Sequence, residues 1–232
     1  MKSAAFNTTQ IKQVQNFTDL IQIPFSGINN AMVWNRNLEG DFKEIVDKLQ
    51  LKEDITEVTV QDLNQLNLTP QGQTARETIL NDLKLLTQFG AQPTLNLLKC
   101  YERDLEFDFI STDVYSYHVD RSPVLIDTYL CTYYGAASDI IANTDVTQKI
   151  LIPEVIHELK QLHDGPDHEF RDFLIENYFD LHYQPHPNAV PINLGNGNLW
   201  RLAVDHPDQP VLPCVHRAPI EHKNQYRLML IC

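Results

Sequence analysis

Positive charge is scarce in this sequence. Lys and Arg together number 18 against 31 Asp and Glu, a formal net charge of −13 over 232 residues. A surface that grips nucleic-acid phosphates needs clustered cations, so a nucleic-acid partner is not expected. Cysteine is sparse too: Cys100, Cys131, Cys214 and Cys232 are widely spaced, with no C-x-x-C pair, which excludes a zinc ribbon and a thioredoxin-like motif. No apolar run approaches the length that crosses a bilayer. The stretch Met1–Leu20 has neither an apolar h-region nor a cleavage signature. The expectation is a cytoplasmic protein with reduced thiols and no membrane partner. Internal repeats and low-complexity tracts are also missing.

What is present divides by texture. Ala31 to Trp34 reads as a short strand. Asp41 can cap a helix in which Phe42, Ile45, Val46 and Leu49 form one apolar stripe. Thr74 and Glu77 form a capping box for a helix over roughly 75–89, with Ala75, Ile79, Leu83 and Leu86 on one face and Gly90 at its end. From Pro93 the period changes to two. Leu105, Phe107 and Phe109 alternate, the run 113–120 alternates, and 124–134 is rich in β-branched and aromatic residues. Helical period returns over about 150–182. A loop containing Gly195-Asn196-Gly197-Asn198 precedes strands over 199–204, 211–216 and 226 onward. The expected fold is α+β in a single domain, 1–232: a mainly helical part over 1–92 packed on a β-core over 93–232, with a helical insertion.

One stretch carries chemistry. In extended backbone, side chains alternate faces, so Ser116, His118 and Asp120 share one face and Tyr115, Tyr117 and Val119 the other. An imidazole and a carboxylate so placed supply two corners of the 2-His-1-carboxylate facial triad that holds non-haem Fe(II). His-x-acid alone is weak, since nine His and 31 acids in 232 residues give about one such triplet by chance. A second copy, His206-Pro207-Asp208, sits in a Pro-rich loop and reads as a turn. What singles out His118 and Asp120 is a later His on another strand, His216, followed on the next strand by Arg227. A guanidinium grips a carboxylate bidentately and keeps its charge.

The order His-x-Asp, distal His, then Arg resembles the Fe(II)/2-oxoglutarate-dependent dioxygenases. The resemblance implies a double-stranded β-helix (jelly-roll, cupin-like) core, Fe(II) on His118, Asp120 and His216, and Arg227 on the far carboxylate of 2-oxoglutarate, with Thr132 as a further contact if its face of the strand lines the barrel. A closer resemblance covers most of the chain. Trp34-Asn35-Arg36, the run from His118-Val-Asp-Arg-Ser-Pro-Val to Thr132-Tyr-Tyr-Gly135, and His216-Arg-Ala-Pro with Arg227-Leu-Met-Leu are similar to a bacterial family, domain of unknown function 1826. Its members are often associated with zinc-responsive gene neighbourhoods, which implies a metal-linked role. Ala218 stands where that family commonly has Ser.

Two functions follow as expectations. The first is an Fe(II)/2-oxoglutarate-dependent hydroxylase of unknown substrate. The alternative is a non-catalytic, cupin-like metal binder in zinc or iron homeostasis, since the same ligands accept Zn. Cys214, with His118 and Cys131, could form a zinc site, but free Cys is usually a small buried hydrophobe. Glu158 follows His157, but the next His, His163, comes at i+6, so the stretch is not the H-E-x-x-H of a zincin helix, and His157, His163, His168, His182 and His186 read as solvated surface residues. Trp34 and Arg36 read as a core Trp beside an exposed Arg.

Overall fold

The computed structural model describes residues 9–221 and 225–232. Strands β1 (Ile11–Val14), β2 (Ala31–Trp34) and β3 (Ile55–Glu57) alternate with helices α1 (Phe17–Gln22), α2 (Phe42–Lys48), α3 (Val60–Gln65) and α4 (Pro70–Phe89). Next come β4 (Thr94–Leu98), β5 (Tyr117–His118), β6 (Thr128–Tyr134), β7 (Asp139–Ile140) and β8 (Val146–Gln148). Helices α5 (Pro153–Leu162) and α6 (Phe170–Glu176) lead into β9 (His182–Pro185), β10 (Ile192–Asn193), β11 (Leu199–Leu202), β12 (His216–Arg217) and β13 (Arg227–Ile231). The class is mixed α+β.

The strands form two sheets, ordered β1-β2-β11-β6-β13-β4-β3 and β10-β7-β12-β5-β9-β8. The period of two along β6 and β13 decides what each face meets. Tyr129, Cys131, Tyr133, Leu228 and Leu230 join Ala75, Ile79 and Leu86 of α4 in one core. Leu130 and Met229, on the opposite face, join Ile140 of β7 and Cys214 in a second core between the sheets. The four α-helices before β4 thus cover the large sheet from outside, and the space between the sheets is left for the site.

Several local expectations need correction. Helix α4 begins at Pro70 with Thr69 as its cap, the Thr69 hydroxyl accepting from the Gly72 amide. Thr74 instead donates to the Pro70 carbonyl inside the helix, because Pro at N1 sets the start earlier than the Thr74–Glu77 pair. Gly90 ends the helix in the left-handed region as expected. Residues 105–109 are not a strand. Phe107 and Phe109 pack on the α5–α6 hairpin, so their alternation comes from a loop lying on helices. Residues 113–116 turn rather than extend, since Asp113 Oδ1 accepts from the Tyr115 and Ser116 amides and this local bond competes with the ladder. Strand β6 starts at Thr128, leaving Val124, Leu125 and Ile126 exposed. Of 211–216 only His216 is in a strand, and Pro213 lacks the amide a ladder needs.

Candidate metal centre

Short strands β5 and β12 bring the two distant imidazoles together. His118 is the direct antiparallel partner of His216, and residues so opposed share a face. The ring centroids lie 4.5 Å apart. Ile140 pairs with His216 on its other side and belongs to the core between the sheets, so both imidazoles face that space. Asp120, two residues beyond His118, keeps the same face, as the alternating burial of residues 115–120 indicates.

The hydrogen bonds orient both rings alike. His118 Nδ1 lies 2.7 Å from the Ser116 carbonyl and His216 Nδ1 3.1 Å from the Cys214 carbonyl. A carbonyl can only accept, so each Nδ1 carries the proton and each Nε2 presents a lone pair, as metal ligation requires. His118 Nε2 is 4.0 Å from Asp120 Oδ1, and His216 Nε2 is 3.6 Å from Asp120 Oδ2. One ligand atom from each residue lies within 4.8 Å of the others. Bonds of roughly 2.1 Å at right angles put ligand atoms about 3 Å apart, so a small inward shift closes the set on one ion. Thr128 donates to Asp120 Oδ2 at 2.5 Å and fixes the carboxylate.

Electrostatics favour the ligating forms. Burial, with the neighbouring His216 ring, pushes His118 down to about 4. Burial raises the Asp120 carboxyl, but the His216 ring, the Thr128 hydroxyl and the His118 ring more than offset it, and the net shift is downward. At neutral pH the site holds a neutral His118 imidazole and a carboxylate.

A third histidine was missed by sequence reasoning. His182 is not a surface residue: it is the cross-strand partner of His118 on β9, 4% exposed, with ring centroids 5.8 Å apart. Burial first, then His118 and Lys149, depress it to about 3. His157, His168 and His186 are exposed as expected, whereas His163 is half-buried against the Phe170 and Phe173 rings. His206-Pro207-Asp208 is indeed a turn, with the Asp208 amide on His206 Nδ1. Cys131 lies on the helix-covered face beside Arg36, away from the triad. Cys214 is buried in the core and joins no group of potential ligands among the described residues.

An acid-stability prediction arises here. Unfolded chain protonates both imidazoles near 6.5, whereas folded protein keeps His118 neutral to about 4 and His182 to about 3. Folding therefore releases protons below pH 6.5. The stability these rings permit is intact above 6.5 and is lost as pH falls towards 4. The His118 shift alone is worth on the order of 3 kcal/mol. Urea unfolding of metal-free protein should show the midpoint falling across this window and falling less in His182→Gln. A flat midpoint would contradict the burial of these rings.

The model of the family described as "Protein of unknown function (DUF1826)" matches residues 15–169. The chain belongs to this family. Neither the curated proteins nor the solved structures give a match. The family match includes His118, Asp120, Thr128 and His157 but ends before His182, His216 and Arg227.

The motif residues can now be sorted. Arg36 pairs with buried Asp82. Arg121 pairs with Asp180 and Asp205, and Arg217 pairs with Asp139 while lying over the Tyr117 ring. Gly135 has φ +89°, and a Cβ there would meet the Tyr226 carbonyl at 2.6 Å, so only glycine lets β6 and β13 approach. Arg227 differs. It is 4% exposed, donates from Nη2 to Ser138 Oγ at 2.8 Å and touches Met229 Sδ, and bonds the Tyr101 side chain. Its Nε is buried with no partner, and among the described residues no carboxylate lies in ion-pair contact with it, although the Glu221 charge reaches it. Burial lowers its affinity for the proton. Thr132 is buried on the Thr128 face of β6, opposite Met229.

Proposed function

We propose that this protein is a non-haem Fe(II)/2-oxoglutarate-dependent hydroxylase, with the metal on His118, Asp120 and His216 and the co-substrate's distal carboxylate on Arg227. The observation that carries the reading is Arg227: a buried guanidinium with an unpartnered Nε and no carboxylate in ion-pair contact among the described residues, with only the Glu221 charge reaching it from farther off, on the inter-sheet side that the triad also faces. Burying an uncompensated charge is costly. Three other motif arginines spend theirs on carboxylates. An exogenous carboxylate would satisfy the orphaned Nε and neutralise the fork.

The strand pairing supports a double-stranded β-helix as the core. Without the N-terminal strands and the β8–β9 pair, eight strands remain. The first pairs with the last (β4 with β13), the second with the seventh (β5 with β12), the third with the sixth (β6 with β11) and the fourth with the fifth (β7 with β10). That is a long hairpin folded over on itself, as in a jelly roll. Helices α5 and α6 and the β8–β9 pair fall between the fourth and fifth strands, as one insertion into a single domain.

When bound, iron and 2-oxoglutarate supply the dioxygen-dependent hydroxylation of a C–H bond, with succinate and CO2 as co-products. The chain's own residues position and exclude. The Ser116 and Cys214 carbonyls hold the two imidazoles, Thr128 holds the Asp120 carboxylate, and the Tyr101 and Ser138 side chains hold the guanidinium. The apolar core between the sheets keeps water from the far end of the co-substrate.

Calorimetry of 2-oxoglutarate binding to Mn(II)-loaded protein tests this. Metal-dependent binding is expected, with Arg227→Met weakening it about a hundredfold while metal content stays unchanged. Protein that binds metal but no 2-oxoglutarate would leave the non-catalytic metal binder, and the enzyme reading would fail.

A further inference from the structure

The wall beside His118 carries unused polar groups. His182 is buried, and its Nδ1 has no partner. Lys149, half-buried between β8 and α5, makes one hydrogen bond among the described residues, to Ser116 Oγ at 3.1 Å, out of three donors. Its charge reaches the His182 ring. Lys149 does not lie within ion-pairing distance of a carboxylate among the described residues.

Two acids flank this amine, and both are engaged elsewhere. Asp104 accepts from the Glu106 and Thr112 amides and the Thr112 hydroxyl. Asp113 accepts from the Asp104, Tyr115 and Ser116 amides. They staple the loop ahead of β5 and leave Lys149 and His182 with spare capacity. A cleft of about 280 Å³ lies between that loop and α6 and is lined by Asp104 and Thr112, which flank the cluster.

We infer that Lys149, His182 and Ser116 form a recognition subsite for a carboxylate on the substrate, placed one strand away from the metal ligand His118. The inference rests on the reading of the triad as a metal centre, which makes this wall the flank of a reacting position. Lys149 brings a single ammonium with donors to spare, a match for one carboxylate, while the charges of Asp104 and Asp113 that also act on it set the site against a phosphate dianion. Lys149 supplies the charge and two further donors, and neutral His182 supplies a directional bond. The substrate class that follows is a small carboxylic acid, hydroxylated at a carbon some way from its carboxylate. This is separate from the Arg227 end, where the co-substrate binds.

Saturation-transfer NMR with propionate and benzoate, on metal-stripped and on Mn(II)-loaded protein, tests the subsite without any turnover. Both acids should bind wild type in either state. Lys149→Met should weaken them about tenfold or more, Lys149→Arg should restore most of the binding, and Arg227→Met should leave it intact. Far-UV circular dichroism checks that Lys149→Met is folded. Two crossed results keep the claims separate. Loss of 2-oxoglutarate binding in Arg227→Met alone, with propionate retained, supports both. Loss of 2-oxoglutarate binding in Lys149→Met, with Arg227→Met normal, overturns the subsite and moves the co-substrate to it. Propionate that binds Lys149→Met as well as wild type, or binds none of the proteins, also overturns the inference.

Discussion

Arg36→Met should lower the free energy of unfolding by about 3 kcal/mol or more, the usual cost of stripping one partner from a buried ion pair. The Asp82 side chain is 1% exposed and that of Arg36 8%. Their contact is 2.7 Å, and the second Asp82 oxygen accepts from the Tyr133 hydroxyl at 2.7 Å. Arg36 also donates from Nε to the Gly197 carbonyl and from Nη2 to Cys131 Sγ, and stacks 4.7 Å from the Trp34 ring. Burial opposes the Arg36 charge, and the Asp82 bond together with the acidic groups around it more than offsets burial. One guanidinium thereby ties β2, α4, β6 and the loop before β11. Removing it leaves a carboxylate in the core with only a phenol to satisfy it. Urea denaturation measures the loss, and the double variant Arg36→Met with Asp82→Leu should recover part of it, because an apolar pair can replace a buried salt bridge of similar volume. A loss below about 1 kcal/mol would mean that the pair is solvated.

That residue also marks where sequence reading stopped. Arg36 was expected on the surface beside a core Trp, yet the Arg is enclosed and the Trp only half-buried. The signal lay forty-six residues away. On α4 the buried stripe runs Ala75, Ile79, Asp82, Leu86, not through Leu83, and an acid on an apolar stripe announces a hidden cation. Periodicity finds stripes; it does not say which distant residue completes them. The shared face of His118 and Asp120 was easier because the period of two along 115–120 is local and fixes which side chains lie together. His182 was not legible. Its place beside His118 depends on the register of β9 against β5, set by an insertion with two helices between them. Thr132 was expected to count only if its face of the strand turns inward, and the bond from Thr128, on that same face, to Asp120 decides that it does. The alternation of Leu105, Phe107 and Phe109 misled because a loop resting on helices can show the same period as a pleat.

Metal content offers the largest effect of all. Protein purified anaerobically should carry close to one ion per chain. His118→Ala and His216→Ala should each weaken binding by more than about a hundredfold, since removing even an outer hydrogen-bond partner costs 10- to 100-fold. Asp120→Asn should do nearly as much by deleting the one anionic ligand. Thr128→Val removes only the 2.5 Å bond that holds the carboxylate and belongs in the smaller class, about tenfold. His182→Gln is the control that separates geometry from mere histidine content. Its ring stands next to His118, yet it falls outside the group whose ligand atoms converge, so metal content should be unchanged. Equal losses in His182→Gln and His216→Ala would require a closed four-ligand site. Such a site leaves no open position for a co-substrate, and the enzyme reading would give way to metal storage or sensing. An unaltered affinity in His118→Ala would end both readings, since each needs that Nε2 lone pair on the ion.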